Sequence, residues 1–192
     1  MTFAAHLAAR RALLALMENR ELEGKLQAAL NILATAAEGR RPILICGNGG
    51  SAADAQHIVS ELVGRFGQDR PPIAAMALGA ALPLLTASAN DFGYEAVFRR
   101  EVAAFGAPDG VLVAISTSGR SRSVIAAAET ARQRGMSVVA LTGATGGELA
   151  AWANIVLAVP DTDTALVQEG HALLYHYLCA ALNTALGPAR PS

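Results

Sequence analysis

The sequence predicts an α/β protein, a parallel sheet covered by helices on both faces in a three-layer αβα sandwich, behind an N-terminal helical arm. Three observations carry the prediction. Short apolar runs recur from residue 42 onward, amphipathic helical patterns separate most of them, and Ser/Gly-rich loops follow two of the runs.

Residues 3–38 precede this alternation. Leu7, Leu13, Leu14, Leu16, Met17, Leu22, Leu26, Leu30 and Leu33 recur near helical spacing with charges between them, and the run Glu18-Asn19-Arg20-Glu21 marks a break between two helices. This arm, residues 1–38, is expected either to pack on a partner subunit or to cover its own domain. The apolar runs are Ile43–Cys46, Ile73–Ala77, Val111–Ile115, Ser137–Leu141 and Ile155–Val159, each of a length suited to a strand buried on both faces. Helical patterns occupy 51–66, 81–89, 94–104 and 121–134, and a final long helix is expected at about 164–186. No linker divides 39–187, which reads as one domain with the arm, and 188–192 reads as a frayed tail.

Composition excludes several classes. Of 192 residues, 53% are hydrophobic and 16% charged, which argues against disorder and suggests an oligomer. Fifteen basic residues balance 16 acidic ones with no basic stripe, so nucleic-acid binding has no electrostatic support. Cys46 and Cys179 read as buried reduced thiols, which suits a cytoplasmic protein. The N-terminus lacks the charge and apolar core of a signal peptide. The longest apolar stretch, Ala74 to Ala89, is interrupted by Gly79 and Pro83, so it reads as a buried strand plus a helix and no membrane association is expected.

The chemistry-bearing segments follow the strands. Gly47-Asn48-Gly49-Gly50-Ser51 closes the first strand and opens a helix, where free N–H groups favour an anion. Ser51 is expected as N-cap with Asp54 as its capping partner, and alone the loop is equally a tight turn. It is neither a dinucleotide fingerprint nor a Walker loop, so no nucleotide cofactor is expected. Ser116-Thr117-Ser118-Gly119-Arg120-Ser121 places four hydroxyls at a second strand's carboxyl end. Singly each is a cap or turn former; two such loops on one parallel sheet face the same crevice and suit a phosphate.

His57 and Glu61 stand at i, i+4 on the helix after the first loop, a pair suited to acid–base work or a divalent metal beside the phosphate. Gln168, Glu169, His171 and His176 lie in the last helix, with a core histidine the default reading for His171. Gln168 and His176 are about 12 Å apart along an ideal helix, so they share one ligand only by reaching inward from opposite ends or from different subunits. Asn90-Asp91-Phe92-Gly93 is expected as a turn between two helices or a clamp on sugar hydroxyls. Arg65 is a phosphate partner or a helix-end cation.

Gly47–His57, Glu61, Gly64-Arg65-Phe66, Asn90–Gly93, Ser116–Gly119, Leu141-Thr142-Gly143 and Gln168–His171 keep the order and approximate spacing of a known pattern. From about residue 42 to 180 the chain resembles the phosphoheptose isomerase (sedoheptulose 7-phosphate isomerase) family of the sugar isomerase (SIS) domain superfamily. The resemblance implies a five-stranded parallel sheet of SIS, flavodoxin-like type and a homotetramer with active sites at subunit interfaces. It also implies conversion of sedoheptulose 7-phosphate to D-glycero-D-manno-heptose 7-phosphate, the first step toward the heptose of lipopolysaccharide and related glycans. Carried onto this sequence, Ser51, Ser116, Thr117, Ser118 and Ser121 would hold the phosphate, and Asn48, Gly49, Gly50, Asn90 and Asp91 would line the sugar. Glu61 would be the base of an enediol mechanism and His176 the acid. His57, Glu61, Gln168 and His176 match a zinc site of some members, one ion per active site.

Ala165 stands where some members have Asp, and Ala89 where Gly often precedes the Asn-Asp pair. The competing reading is a non-catalytic SIS-domain protein. A relative that binds the replication initiator lacks the Glu and last-helix His retained here as Glu61 and His176, which favours an enzyme. Sugar-phosphate-sensing regulators usually carry a DNA-binding domain, for which the arm leaves no room.

Overall fold

The structure, a computed structural model, describes residues 2–67 and 69–187. In chain order the elements are α1 (Phe3–Met17), α2 (Arg20–Glu38), β1 (Ile43–Gly47), α3 (Gly50–Val63), β2 (Ala75–Ala77), α4 (Leu82–Phe92), α5 (Ala96–Phe105), β3 (Val111–Ser116), α6 (Arg122–Gln133), β4 (Ser137–Thr142), a 3-10 turn (Glu148–Trp152), β5 (Ile155–Ala158) and α7 (Thr164–Leu186). The five strands pair in parallel in the order β2-β1-β3-β4-β5. The expected sandwich is therefore present. The tail expected at 188–192 lies outside the described residues.

Alternation along the strands sorts the core into two layers. Ile43 and Ile45 of β1, Val111, Val113 and Ile115 of β3, and Val139 and Leu141 of β4 face α2, α3 and α7. Leu44, Cys46, Leu112, Ala114, Val138 and Ala140 face α5 and α6. The second face is built from smaller side chains, which accommodates the Ala127, Ala128 and Ala131 stripe of α6. Full burial of each large aliphatic chain contributes about 1.5–3 kcal/mol. Both cysteines are free and buried, and burial pushes the Cys179 thiol up to about 12 and Cys46 up as well.

The expected strand Ile73–Ala77 shortens to Ala75–Ala77 because the Ile73 N–H donates to the carbonyl of Leu62, at 3.0 Å, instead of to β1. That carbonyl and Glu61's also accept from the buried Arg70 guanidinium at 2.9 and 2.8 Å, which satisfies the C-terminal end of α3. Of the two arm helices, α2 is part of the core layer through Leu22, Ala29, Leu33 and Ala36. The break before it is a cap: Asn19 Oδ1 accepts from the Leu22 N–H at 2.9 Å. By contrast α1 buries only Leu13 and exposes Phe3, Leu7, Leu14 and Leu16. Arg10 fastens it to α7 by a two-pronged pair with Glu169, at 2.7 and 2.6 Å. Among the described residues no helix is long and apolar enough to cross a membrane.

Candidate active site

β1 and β3 are neighbours whose chain connections depart in opposite directions, to β2 and to β4, so their carboxyl ends open a crevice at a switch point of the sheet. Both Ser/Gly loops enter it. In the first, Gly49 adopts φ +56° and caps α3. The expectation that Ser51 is the N-cap and Asp54 its partner is corrected: Ser51 lies within the first turn, its N–H donates to the Asn48 carbonyl at 3.0 Å, and Asp54 turns toward α7. Gly47 has no room for a side chain, since a Cβ there would stand 2.6 Å from Ser51 Cβ.

The second loop is fixed from behind by backbone. A Cβ on Gly119, at φ +64°, would collide with the Gly146 carbonyl, and the Gly119 carbonyl accepts from the Leu149 N–H at 2.9 Å. The Thr117 carbonyl accepts from the Gly143 N–H, also at 2.9 Å. Asn48 ties the loops together. Its Nδ2 donates to Ser121 Oγ at 2.7 Å and to Ser123 Oγ at 3.0 Å, and its Oδ1 accepts from the Tyr94 hydroxyl at 2.8 Å. The result is a polar pocket of about 170 Å³ lined by Asn48, Ser51, Ile115, Ser116, Thr117, Ser118 and Ser121. It suits a phosphate, with hydroxyl and amide groups and a helix N-terminus converging on a small volume. Larger clefts exist, of about 430 Å³ beside the α1–α2 elbow and about 610 Å³ over Val59, Val63 and Met76, but they are more open and lack this chemistry.

A second cluster forms where α3 and α7 run side by side. His57 Nε2 lies 3.1 Å from Glu61 Oε1 and 3.5 Å from His176 Nε2. The His57 side chain is 44% exposed and Glu61 is 19% exposed, and Phe66 stacks on the His176 ring. Gln168 is elsewhere: its amide lies against Gly50, where a Cβ would collide with Nε2. Thus α3 and α7 lie parallel, with Gly50 and Gln168 paired at one end and His57 and His176 at the other. The ends are seven residues apart on α3 and eight on α7, about 11–12 Å. The expectation that His57 and Glu61 stand beside the phosphate is corrected for a single chain, because two helical turns intervene. Among the described residues no group of three or more His, Cys, Asp or Glu is placed to hold a metal ion by itself.

Asn90 and Asp91 are not in an inter-helix turn. They close the last turn of α4, exposed, with Asn90 Nδ2 donating to Asp91 Oδ1 at 2.8 Å, and Gly93 follows at φ +79°. Arg65 is exposed just past Gly64, the C-cap of α3, and makes no hydrogen bond or ion pair among the described residues. His171 is fully buried, its Nε2 3.1 Å from the Thr142 carbonyl, and burial lowers its pKa to about 4. Sequence reasoning missed Tyr94, Ser123 and Tyr175. Tyr94 and Ser123 each lie within three residues of a predicted segment, whereas no signal in the chain distinguishes Tyr175 from a core aromatic.

A parallel αβα sheet with a phosphate-sized polar pocket at its switch point defines a sugar-phosphate-handling protein of SIS type. The family model "SIS domain" matches residues 6–143. A phosphoheptose isomerase of Bordetella avium is 49% identical over 168 residues, spanning 86% of this chain and 85% of that protein. The solved phosphoheptose isomerase of Neisseria gonorrhoeae superposes with a TM-score of 0.89 at 40% identity, covering 95% of this chain and 97% of that one. That of Francisella tularensis gives 0.91 at 34% identity, covering 96% and 100%. The chain belongs to the phosphoheptose isomerase family of SIS-domain enzymes.

Proposed function

We propose that the protein converts sedoheptulose 7-phosphate to D-glycero-D-manno-heptose 7-phosphate through an enediol, in a homotetramer whose active sites form between subunits. The observation that carries the reading is the meeting of Glu61, His57 and His176 across α3 and α7, on the same helices that build the phosphate end. The Ser116–Ser121 and Asn48–Ser51 loops hold the phosphate. Asn90, Asp91, Gln168 and Arg65 are assigned to the sugar and its phosphate by resemblance alone.

In the reaction, Glu61 takes a proton from C1. The electrons of that C–H bond form the C1–C2 double bond, and O2 takes a proton from His176. The proton on O1 then returns to His176 while Glu61 delivers its proton to C2, leaving an aldehyde at C1. Glu61 Oε1 faces His57, which leaves Oε2 for the proton. Positioned acid and base groups of this kind contribute roughly 10²–10⁴-fold each.

An assembly across subunits is supported by length. An extended seven-carbon sugar phosphate spans roughly 10 Å from C1 to phosphorus at bond lengths of about 1.5 Å. Within one chain Ser51 and Glu61 are ten residues apart on α3, about 15 Å. The exposed apolar residues of α1 and α4, Phe3, Leu14, Leu16, Leu82 and Leu84 among them, offer surface for self-association.

The donor types, two imidazoles and a carboxylate, also suit zinc, with a fourth donor needed to complete the site. Zinc–ligand distances of about 2.0–2.1 Å place tetrahedral donors about 3.3–3.4 Å apart, and His57 Nε2 lies 3.1 Å from Glu61 Oε1 and 3.5 Å from His176 Nε2. His57, Glu61 and His176 would hold the ion, with Gln168 joining only by leaving Gly50 or from a neighbour. Bound there, it would polarise the substrate carbonyl. The buried thiols and the phosphorylated substrate suit a cytoplasmic enzyme at the first step of nucleotide-activated heptose synthesis.

The test is incubation of purified protein with sedoheptulose 7-phosphate and detection of the aldose product. Wild type is expected to be active, and Glu61→Gln and His176→Gln to lose 10²-fold or more. Full activity in both variants would overturn the mechanism; an inactive zinc-loaded wild type would favour a binding module.

A further inference from the structure

Tyr175 stands behind the histidine cluster in a role the mechanism above does not use. Its ring is buried on α7, 4% exposed, and meets the His57 ring edge-on at 5.5 Å. Its hydroxyl lies 3.3 Å from His57 Nδ1 and 3.5 Å from Asp54 Oδ1. Asp54 sits one turn before His57 on α3. Its Oδ2 is buried without a hydrogen-bond partner among the described residues, and its carboxyl pKa is raised by burial. An unpartnered buried carboxylate oxygen carries a desolvation cost, so its retention asks for a reason.

The proton inventory supplies one. An ionised carboxylate only accepts, and a tyrosine hydroxyl has a single proton to give. When Tyr175 donates to Asp54, its oxygen accepts from Nδ1–H of His57. The lone pair of Nε2 is then directed at Glu61 and His176. That lone pair lies 3.1 Å from Glu61 Oε1 and 3.5 Å from His176 Nε2, where it accepts from a His176 Nε2–H or, with that proton displaced, joins Glu61 and His176 in facing a cation. Metal-bound histidines generally donate their second ring N–H to such a partner, which fixes ring orientation and tautomer.

We propose that Tyr175, backed by Asp54, is a positioning residue that turns His57 Nε2 into the Glu61–His176 cluster and strengthens its hold on a divalent cation. The inference rests on the zinc reading above, and its test separates the two. Metal-free protein is titrated with zinc chloride in competition with a chromophoric chelator. His57→Ala removes the site. Tyr175→Phe, which keeps the ring and loses only the hydroxyl, binds zinc about 10–100-fold more weakly, and Asp54→Asn shifts affinity in the same direction.

The metal-free variants melt as wild type does, and the visible spectrum of the cobalt-loaded protein changes in Tyr175→Phe, which a role confined to core packing would not produce. Where Tyr175→Phe melts early, Asp54→Asn carries the decision. Wild-type affinity in both Tyr175→Phe and Asp54→Asn overturns the positioning role and leaves the zinc reading standing. No zinc uptake by wild type, or uptake untouched by His57→Ala, overturns the zinc reading and the positioning role with it.

Discussion

The two ends of the α3–α7 pair are built in different ways. At the phosphate end short side chains and backbone do the work. Asn48, Ser121 and Ser123 are hydrogen-bonded to one another, and Gly47 and Gly119 sit where a side chain would meet backbone. Two turns further on, long side chains from two helices meet near the surface, with two imidazoles and a carboxylate facing each other. The pocket at the first end is lined within one chain by Asn48, Ser51 and the Ser116–Ser121 loop. At the second, which group donates depends on the tautomers of His57 and His176. On the proposed reading, backbone geometry sets substrate placement, while side-chain packing between helices sets the chemistry.

The sharpest break between the ends is Glu61→Gln. It should lower kcat by about 10³-fold while leaving KM and the melting temperature near wild type, because it touches only the chemical end. The same variant tests where the ends meet. If a site joins the cradle of one subunit to Glu61 of another, subunit exchange between Glu61→Gln and Asn48→Ala proteins, each inactive alone, restores part of the activity. Failure to complement in verified hybrids would place each site within one chain.

The cradle is broken through its glycines, with a smaller effect. Gly119→Ala drives a methyl into the Gly146 carbonyl at positive φ, so something in the backbone must move. Loss of about 3 kcal/mol or more is expected, with phosphate protection against thermal unfolding abolished. Gly49→Ala has the same backbone sign, φ +56°, but nothing within 4 Å of the new methyl. At φ +56°, ψ −121° it should cost conformational strain alone, roughly 1–3 kcal/mol. Equal losses in the two variants would show that positive-φ strain, not the close approach of the Gly146 backbone, accounts for the loss at Gly119.

How much of this was legible in sequence follows the same division. The strands were legible because buried parallel strands are short uninterrupted apolar runs, and Ile43–Gly47 and Val111–Ser116 match theirs to within one residue. The two loops were legible together, because two Ser/Gly-rich loops at the carboxyl ends of parallel strands face one crevice, although each alone reads as a turn or cap. Ser51 was misread as a cap because cap position depends on which glycine takes positive φ, and Gly-Gly-Ser leaves that open. Asn90 and Asp91 were misread as a turn because their propensity favours one, while α4 continues over them to Gly93. The partnership of Tyr175 with Asp54 was not legible at all. It depends on the register between α3 and α7, which no local pattern encodes.

That register also rests on His171, which lies between Gln168 and His176 on α7 and holds its ring against the carbonyl of Thr142 at the end of β4. Burial lowers its pKa to about 4, below the ordinary histidine value of about 6.5. A depressed histidine is neutral when folded, so its contribution to stability is fully present above about pH 6.5. Below that the unfolded chain binds a proton the folded chain refuses, and the contribution declines until the pH reaches about 4. At about pH 5.5, one unit into this window, wild type should have lost about 1 kcal/mol through His171 alone. His171→Gln, whatever its stability at neutral pH, should show a shallower decline in urea midpoint between about pH 6.5 and 5. Parallel declines in the two proteins would assign the acid sensitivity to the carboxylates instead. Because α7 carries both Gln168 and His176, loosening it should weaken phosphate binding and turnover together, unlike Glu61→Gln, which affects turnover alone.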